Sequence, residues 1–511
     1  MMHPQFFVVR TGRSQISRRW LLRVASVLLL STGLSGCLLG PDYQRPEVAL
    51  PEGYRATQTT TAQGGAGAGA GAAAPSATQS PSALSAKADK NSVLLAEWWT
   101  LFNDPVLNDL IATAQTNNAD IQVAVARLAQ AEALARQAGA SLYPTLNMTA
   151  SGVRASSGTA VSASGVGLQT NTSQVGLVTQ YEIDVWGRVR RNIEAATAVA
   201  TASQYEQDSV RLTISALVAN AYLGLRALDA QIAVVTNSVK TREDSLRVAQ
   251  AKLDGGLVSP IDVNQARAAK AASEANLSEL TRRRAIAQNQ LGILTGQLQL
   301  TLSPVDLRGL PIPPIPPVGL PSSLMESRPD VNRVEQELTA ANARIGVATA
   351  NFFPTISLTG LLGAQSVDFS AFLSGQSAVW SAGLGLLQPI FSGGSLTARL
   401  DFAKAQQQEV LGNYVKVVRN AFGEVSDALV SVHQTLQTEL FLNEQVKAAS
   451  KAQELASIRY EAGYVDYLNV LEAQRVQNEA NLAFVLNRAL RLQAGVDLFK
   501  ALGGGWNKTA P

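Results

Sequence analysis

Val175-Gly176-Leu177-Val178-Thr179-Gln180-Tyr181-Glu182-Ile183-Asp184-Val185 decides the fold. Val175, Leu177, Tyr181, Ile183 and Val185 fall on one side, and Gly176, Gln180, Glu182 and Asp184 on the other. A period of two marks a strand with one apolar and one polar face. Its ten to twelve residues suit a tilted strand crossing a bilayer. From Gly187 to Gly255 there is no proline, and Ile214, Leu217, Ala221, Leu225, Leu228, Ile232, Val235 and Val239 step by three and four. That is the coiled-coil period. Some 65 helical residues reach roughly 100 Å, several times a hydrocarbon core. Their many polar side chains exclude lipid, so the helix projects into water.

The same pair of patterns recurs along the chain. Leu146, Met148 and Ala150 alternate with Thr145, Asn147, Thr149 and Ser151; Ile356, Leu358 and Leu362 with Thr355, Ser357 and Thr359; Trp380, Ala382, Leu384, Leu386 and Ile390 with Ser381, Gly383 and Gly385. Long helical patterns return at Leu411, Val415, Val418, Phe422, Val425, Leu429 and Val432, and at Leu482, Val485, Ala489, Leu492, Val496 and Phe499. Leu142-Tyr143-Pro144-Thr145-Leu146 reappears as Phe352-Phe353-Pro354-Thr355-Ile356, about 210 residues on. Gly256-Leu257-Val258-Ser259 is echoed by Gly463-Tyr464-Val465-Asp466. An offset that long is a duplicated half, not a solenoid repeat. Four strands cannot close a barrel, and open edges are not tolerated in lipid. The strands must therefore be shared among identical chains, as a dimer of eight or a trimer of twelve. A soluble coiled-coil scaffold decorated by strands has the same alternation.

The amino terminus reads as an address. Arg10, Arg13, Arg18 and Arg19 precede the short apolar run Val24 to Leu34, which ends in Leu34-Ser35-Gly36-Cys37. That is an export signal rather than a spanning helix. It resembles a lipobox, with Cys37 the lipidated first residue of the mature chain, and Leu38 after it suits sorting to the outer membrane. Ser17-Arg18-Arg19-Trp20-Leu21-Leu22-Arg23 also resembles a twin-arginine signal, although a plain basic n-region explains it as well. A lipid anchor alone binds reversibly, so firm attachment needs a second element.

Composition narrows the chemistry. The chain has 511 residues, a net charge of +3, 16% charged residues, one cysteine and two histidines, His3 and His433. It lacks the basic face of a nucleic-acid binder, a Cys-based metal cage and a multi-histidine metal site. No nucleophile and base can be named, so an enzyme is a distant reading.

Boundaries follow composition: 1–36 is the signal, 37–96 a lipidated segment with the Gly/Ala-rich tract Gly64 to Ala86, and 97–310 the first repeat. Residues 311–321 form a proline-rich connector, 322–506 the second repeat and 507–511 a tail.

The chain resembles the outer membrane factors of tripartite efflux and secretion systems, the TolC/OprM type, in the lipoprotein branch serving RND pumps. The resemblance rests on Cys37, Gly40-Pro41-Asp42-Tyr43-Gln44-Arg45-Pro46, Trp98-Trp99, Asp104-Pro105, Tyr181-Glu182-Ile183-Asp184-Val185-Trp186-Gly187-Arg188, Arg328-Pro329-Asp330-Val331, Pro389-Ile390-Phe391-Ser392-Gly393-Gly394, Arg459-Tyr460-Glu461-Ala462-Gly463, Leu471-Glu472-Ala473-Gln474-Arg475 and Ala501-Leu502-Gly503-Gly504-Gly505-Trp506. It implies an α+β membrane protein: a homotrimer whose twelve strands form one outer membrane barrel, continued by a periplasmic α-helical barrel. An equatorial belt would include the segments around Trp98 and Ala501 to Trp506. It also implies a periplasmic adaptor, an inner-membrane RND pump, no cofactor, no nucleic acid and no catalysis.

The resemblance further implies roles for residues. The turns Gly256-Leu257-Val258-Ser259 and Gly463-Tyr464-Val465-Asp466 would dock the adaptor, beside their plainer role as turns. Leu468, Glu472 and Arg475 would close the periplasmic end, with Glu472 where the family often has Asp. A surface Glu–Arg pair is the alternative. Glu182 and Asp184, on the polar side of their strand, are candidates for the lumen or the barrel rim. The first function is a passive exit duct for drugs or other small molecules. Ducts for type I protein or polysaccharide secretion or metal efflux, and a non-porous lipid-anchored scaffold, are the alternatives.

Overall fold

The computed structural model describes residues 38–51, 53–54, 97–156, 169–314, 327–367 and 377–504. Cys37, the tract from Gly64 to Ala86, the end of the connector from Ile315 on, and Gly505-Trp506 lie outside them. The helices are α1 (Pro105–Asn117), α2 (Ala119–Ala140), α3 (Arg188–Asp254), α4 (Pro260–Thr295), α5 (Pro329–Ala350), α6 (Ser395–Glu461) and α7 (Tyr467–Ala501). The strands are β1 (Thr145–Ser156), β2 (Gln169–Ile183), β3 (Thr355–Ser366) and β4 (Ala378–Leu387). The duplication is visible in element lengths. α3 and α6 have 67 residues each, α4 and α7 have 36 and 35, and α2 and α5 have 22 each. A helix of 67 residues is about 100 Å long.

The chain forms two compact units. The first comprises the segment up to Tyr43, Arg136–Ala196 and Ala340–Gln407, and holds all four strands. They form one antiparallel sheet in the order β1-β2-β3-β4. β2 ends at Ile183, so Val185 lies beyond it. The reason is Asp184, whose carboxylate accepts from Val189 N (3.0 Å) and Arg190 N (2.9 Å) and so opens α3. β4 ends at Leu387, leaving Ile390 outside, because Pro389 has no amide to give a ladder. Trp186 at this junction packs on Phe353 at 5.0 Å and donates to Pro354 O at 2.8 Å.

The second unit comprises Gln44–Ala135, Thr197–Thr339 and Gln408 onward. Asp104 accepts from Val106 N and Leu107 N and Pro105 follows it, so α1 begins there. Asn118 separates α1 from α2: its Oδ1 accepts from Asp120 N and Ile121 N, and its Nδ2 donates to Leu294 O at 2.8 Å. Trp98 stacks on Phe499 at 5.7 Å, within a core that includes Phe102, Ile111, Tyr222, Leu225, Leu291 and Leu492. In this stretch α3 is buried at Ala216, Val218, Ala219, Tyr222 and Leu223, while Leu217 is exposed. The single three-and-four stripe misplaces Leu217 because α1, α4 and α7 contribute to the core around α3 together.

Buried charges hold this unit by mutual pairing. Asp229 accepts from Arg226 (2.9 Å) and Arg284 (2.6 Å), and these arginines also donate to Ser303 O and Leu302 O. Arg328 donates to Ala501 O, Asp330 and Glu424 at 2.9, 2.7 and 2.8 Å, joining the start of α5 to the end of α7.

Candidate functional site: sheet, hairpin tips and the exposed stripe of α7

The sheet register gathers apolar side chains into rungs. Met148, Leu177, Leu362 and Trp380 stand opposite one another across all four strands. Tyr181, Leu358 and Leu384 form a second rung, and Ile183, Ile356 and Leu386 a third. Most of them are exposed, Met148 at 73% and Trp380 at 78%, while Tyr181, Ile183 and Ile356 are half-buried. The opposite face carries Thr145, Asn147, Gln180, Ser357, Thr359 and Ser381, interrupted by Val153, Val178, Leu361, Val379 and Leu387. A mainly apolar face, broken at Thr179, backed by a mainly polar one is the division of a strand between hydrocarbon and an aqueous lumen. Among the described residues no helix is long and apolar enough to cross a membrane.

Glu182 and Asp184 end up with different partners. Glu182 receives Arg188 Nη2 at 2.5 Å and Nε at 2.9 Å. Asp184, already described as the cap of α3, also receives Arg190 Nε at 3.2 Å. Its side chain is 10% exposed, so it is a junction residue rather than a free charge.

Each hairpin tip closes in the same way. Gly256 N donates to Leu253 O (2.9 Å) and Leu257 N to Lys252 O (2.8 Å). Gly463 N donates to Tyr460 O (3.0 Å) and Tyr464 N to Arg459 O (2.8 Å). This Schellman pattern requires a left-handed residue, and Gly256 (φ 71°) and Gly463 (φ 81°) supply it. Ser259 then caps α4, whose Ile261 N donates to its Oγ, and Pro260 follows. Asp466 precedes α7 without a side-chain cap. Leu257 and Tyr464, each 76% exposed, stand out at the two tips. Val258 and Ser259 complete the first tip and Val465 the second, where Val465 packs on the core beneath.

That core joins the hairpins. Ala249, Val263, Ala266, Tyr460, Tyr467 and Val470 pack as one cluster. Lys252 Nζ donates to Tyr460 O and lies 4.2 Å above the Tyr460 ring. Burial pushes the Tyr467 phenol up to about 12. These links were not legible as a group, because each residue comes from a different helix end.

Leu468, Glu472 and Arg475 share the exposed side of α7. Arg475 grips Glu472 with Nη2 at 2.5 Å and Nε at 2.9 Å, and Leu468 is 61% exposed. Sequence reasoning missed the fourth member, Glu479, which accepts from Arg475 Nη1 at 2.6 Å. Its signal was the spacing: Glu479 is four residues after Arg475 and seven after Glu472. Arg475's hydrogen bonds hold the Glu472 carboxyl below its ordinary value.

Comparisons with known proteins decide the family. A profile described as outer membrane efflux protein matches residues 110–297 and again 320–504. The chain belongs to the outer membrane efflux protein family. It is 35% identical over 477 residues to a probable efflux pump outer membrane protein, TtgC, of Pseudomonas putida, covering 93% of each chain. It is 34% identical over 422 residues to the pyoverdine export outer membrane protein OpmQ of Pseudomonas aeruginosa, covering 81% of this chain and 88% of that one. The open-state structure of the MtrE outer membrane channel of Neisseria gonorrhoeae superposes with a TM-score of 0.77 at 29% identity, over 92% of this chain and 98% of that one. The protein is an outer membrane efflux channel with a periplasmic extension, and not an enzyme.

Proposed function

We propose that three copies of this chain close one barrel through the outer membrane. This trimer is the passive exit duct of a tripartite pump for drugs and other small molecules. The observation that carries this reading is the sheet: four strands, a largely exposed apolar face running across all of them, and two edge strands, β1 and β4, whose outer edges pair with no other described strand. Unpaired backbone at those edges costs several kcal/mol per group in lipid. Pairing β4 of one copy with β1 of the next removes every edge, and three copies supply twelve strands.

Cys37 is the lipid anchor in this reading, one residue before the described chain begins. The turns from Gly256 to Ser259 and from Gly463 to Asp466 receive a periplasmic adaptor, which couples the duct to an inner-membrane RND pump. Support comes from the exposure of Leu257 and Tyr464 on turns braced by a packed core. Leu468, Glu472 and Arg475 form the periplasmic constriction, supported by their common exposed side of α7. Glu182 and Asp184 mark the strand-to-helix junction. The mixed cargo follows the relatives, one named for an efflux pump and another for pyoverdine export.

Native mass spectrometry of the membrane-extracted mature protein tests the reading. A trimer carrying three acyl adducts is expected. A lipidated monomer, from an extraction that leaves other oligomers intact, refutes closure.

A further inference from the structure

One joint inside the chain has an unmade counterpart on its surface. α3 lies against α7: Asn220 Nδ2 donates to Asp497 Oδ1 at 2.9 Å, and Gln493 Nε2 donates to Asn220 O at 3.4 Å. Leu223 and Ala227 of α3 share a buried core with Val485, Ala489 and Leu492 of α7. The duplication supplies a second pair of faces, because α6 repeats α3 and α4 repeats α7. Counted from the first residue of each helix, Leu223 and Ala227 correspond to Val430 and Gln434. Val485, Ala489 and Leu492 correspond in the same way to Ser278, Arg282 and Ala285. The members on α3 and α7 are buried, whereas all five counterparts are exposed. The bare faces are also more polar, as surfaces that meet water before assembly must be.

The fastening residues are complementary. Asn220 and Asp427 are each the thirty-third residue of their helix, and Asp497 and Gln290 each the thirty-first. An amide on α3 meets a carboxylate on α7. In the counterpart the carboxylate is on α6 and the amide on α4. Asp427 and Gln290 are exposed, and neither side chain has a hydrogen-bond partner among the described residues. The exchange of roles selects the partner face. α6 against the α7 of another copy would oppose Asp427 with Asp497, two like charges. α6 against α4 restores a carboxylate facing an amide, which is a charge-assisted bond.

We propose that α6 of one copy docks on α4 of the next and repeats this joint, with Gln290 Nε2 donating to the Asp427 carboxylate. The inference rests on the three-copy reading above and adds the residues and register of the contact. Like the pairing of β4 with β1, it joins the second half of one copy to the first half of the next.

The test is disulfide trapping in the detergent-extracted full-length protein, whose native cysteine is Cys37 alone. Gln290→Cys with Asp427→Cys is expected to give reductant-sensitive covalent dimers and trimers on a denaturing gel. Asn220→Cys with Asp497→Cys is the calibrator and should link within one copy. Gln290→Cys with Gln434→Cys, displaced by two helical turns or roughly 10 Å, should link at least tenfold less. Gln290→Glu opposes two carboxylates and should raise the dissociated fraction at least tenfold. Adding Asp427→Asn should restore the trimer, because an acid and an amide face each other again. Native mass spectrometry of the unsubstituted protein separates the two readings. A trimer in which Gln290→Cys with Asp427→Cys links no better than the displaced pair overturns this joint and leaves barrel closure standing. A monomer overturns both. Gln290→Glu without effect, or without rescue by Asp427→Asn, overturns the bond.

Discussion

Gly346→Ala is the substitution that best separates local propensity from packing. Residues 38–43 form a strap directly after Cys37, and Gly346 in α5 faces it. A Cβ at Gly346 would lie 2.8 Å from Leu39 O and 2.9 Å from Arg191 Cγ. The opposing Gly40 has φ 95° and would place its own Cβ 2.5 Å from Gly346 Cα. Helix propensity alone favours alanine by about 1 kcal/mol. Against that stand the bonds that hold the strap: Arg191 Nε to Leu39 O (3.1 Å), Arg191 Nη2 to Asp42 (2.7 Å), Asn342 Nδ2 to Pro41 O (2.8 Å) and Leu39 N to Trp186 O (3.3 Å). At about 1 kcal/mol net each, discounted for the exposed Asp42, losing them costs about 2 to 4 kcal/mol. Packing wins, and the strap lifts while the sheet and helices stay folded. Hydrogen exchange followed by mass spectrometry should show the Leu39 amide, the strap donor that bonds Trp186 O, exchanging roughly 30- to 700-fold faster, with far-ultraviolet dichroism unchanged. Gly40→Ala should do the same from the other side. Exchange within about threefold of the native protein in both variants would refute the clamp. The consequence reaches function because the proposed acyl anchor is joined to the body through this strap.

Three further outcomes follow from charges and turns. Asp229→Ala leaves Arg226 and Arg284 facing each other around a side chain that was 2% exposed; about 3–5 kcal/mol of stability should be lost, read as a lower melting temperature and early exchange at residues 302–305. Glu472→Ala with Arg475→Ala should raise the closed-state conductance of the reconstituted channel, and unchanged conductance and antibiotic entry would remove the gate. In the native channel the Glu472 value is depressed, so its pairing is present above the ordinary value of 4.5 and disappears as pH falls through the lower folded value. Conductance should be flat from neutral pH to about that point and rise only below it. Leu257→Ala with Tyr464→Ala should leave melting unchanged, because both side chains are 76% exposed, and should sharply lower drug resistance in cells by weakening adaptor docking; unaltered resistance would move docking away from the tips.

The sheet was legible because a strand in lipid and water must alternate, and the register later aligned the same residues into rungs. The strand ends were not legible to the residue. Val185 continues the alternation, but Asp184 turns its carboxylate to the amides of α3 and ends the ladder first. The coiled-coil stripe identified α3 and α6 but not every buried position, since a helix packed on several sides buries Ala216, Val218 and Ala219 that a single stripe omits. The strap was invisible for a different reason. Gly40 and Gly346 are ordinary residues until the fold brings them together from about 300 positions apart.

The duplication provides an internal control on the tips. The two halves have diverged, yet both turns keep a glycine at positive φ and the same pair of backbone bonds. Those features are what a Schellman turn demands, so their persistence argues for geometry and not for a partner. What differs is the residue after the glycine, Leu257 against Tyr464, and the residue opening the return helix, the capping Ser259 against the non-capping Asp466. Neither difference is required by the turn. An apolar tip without charge and an aromatic tip beside a carboxylate present unlike surfaces, so an adaptor contacting both must meet two chemistries. Exchanging Leu257 and Tyr464 preserves both turns and alters only what they display. If the tips dock the adaptor, the exchange should lower resistance as much as removing both side chains; if they serve only as turns, it should have no effect.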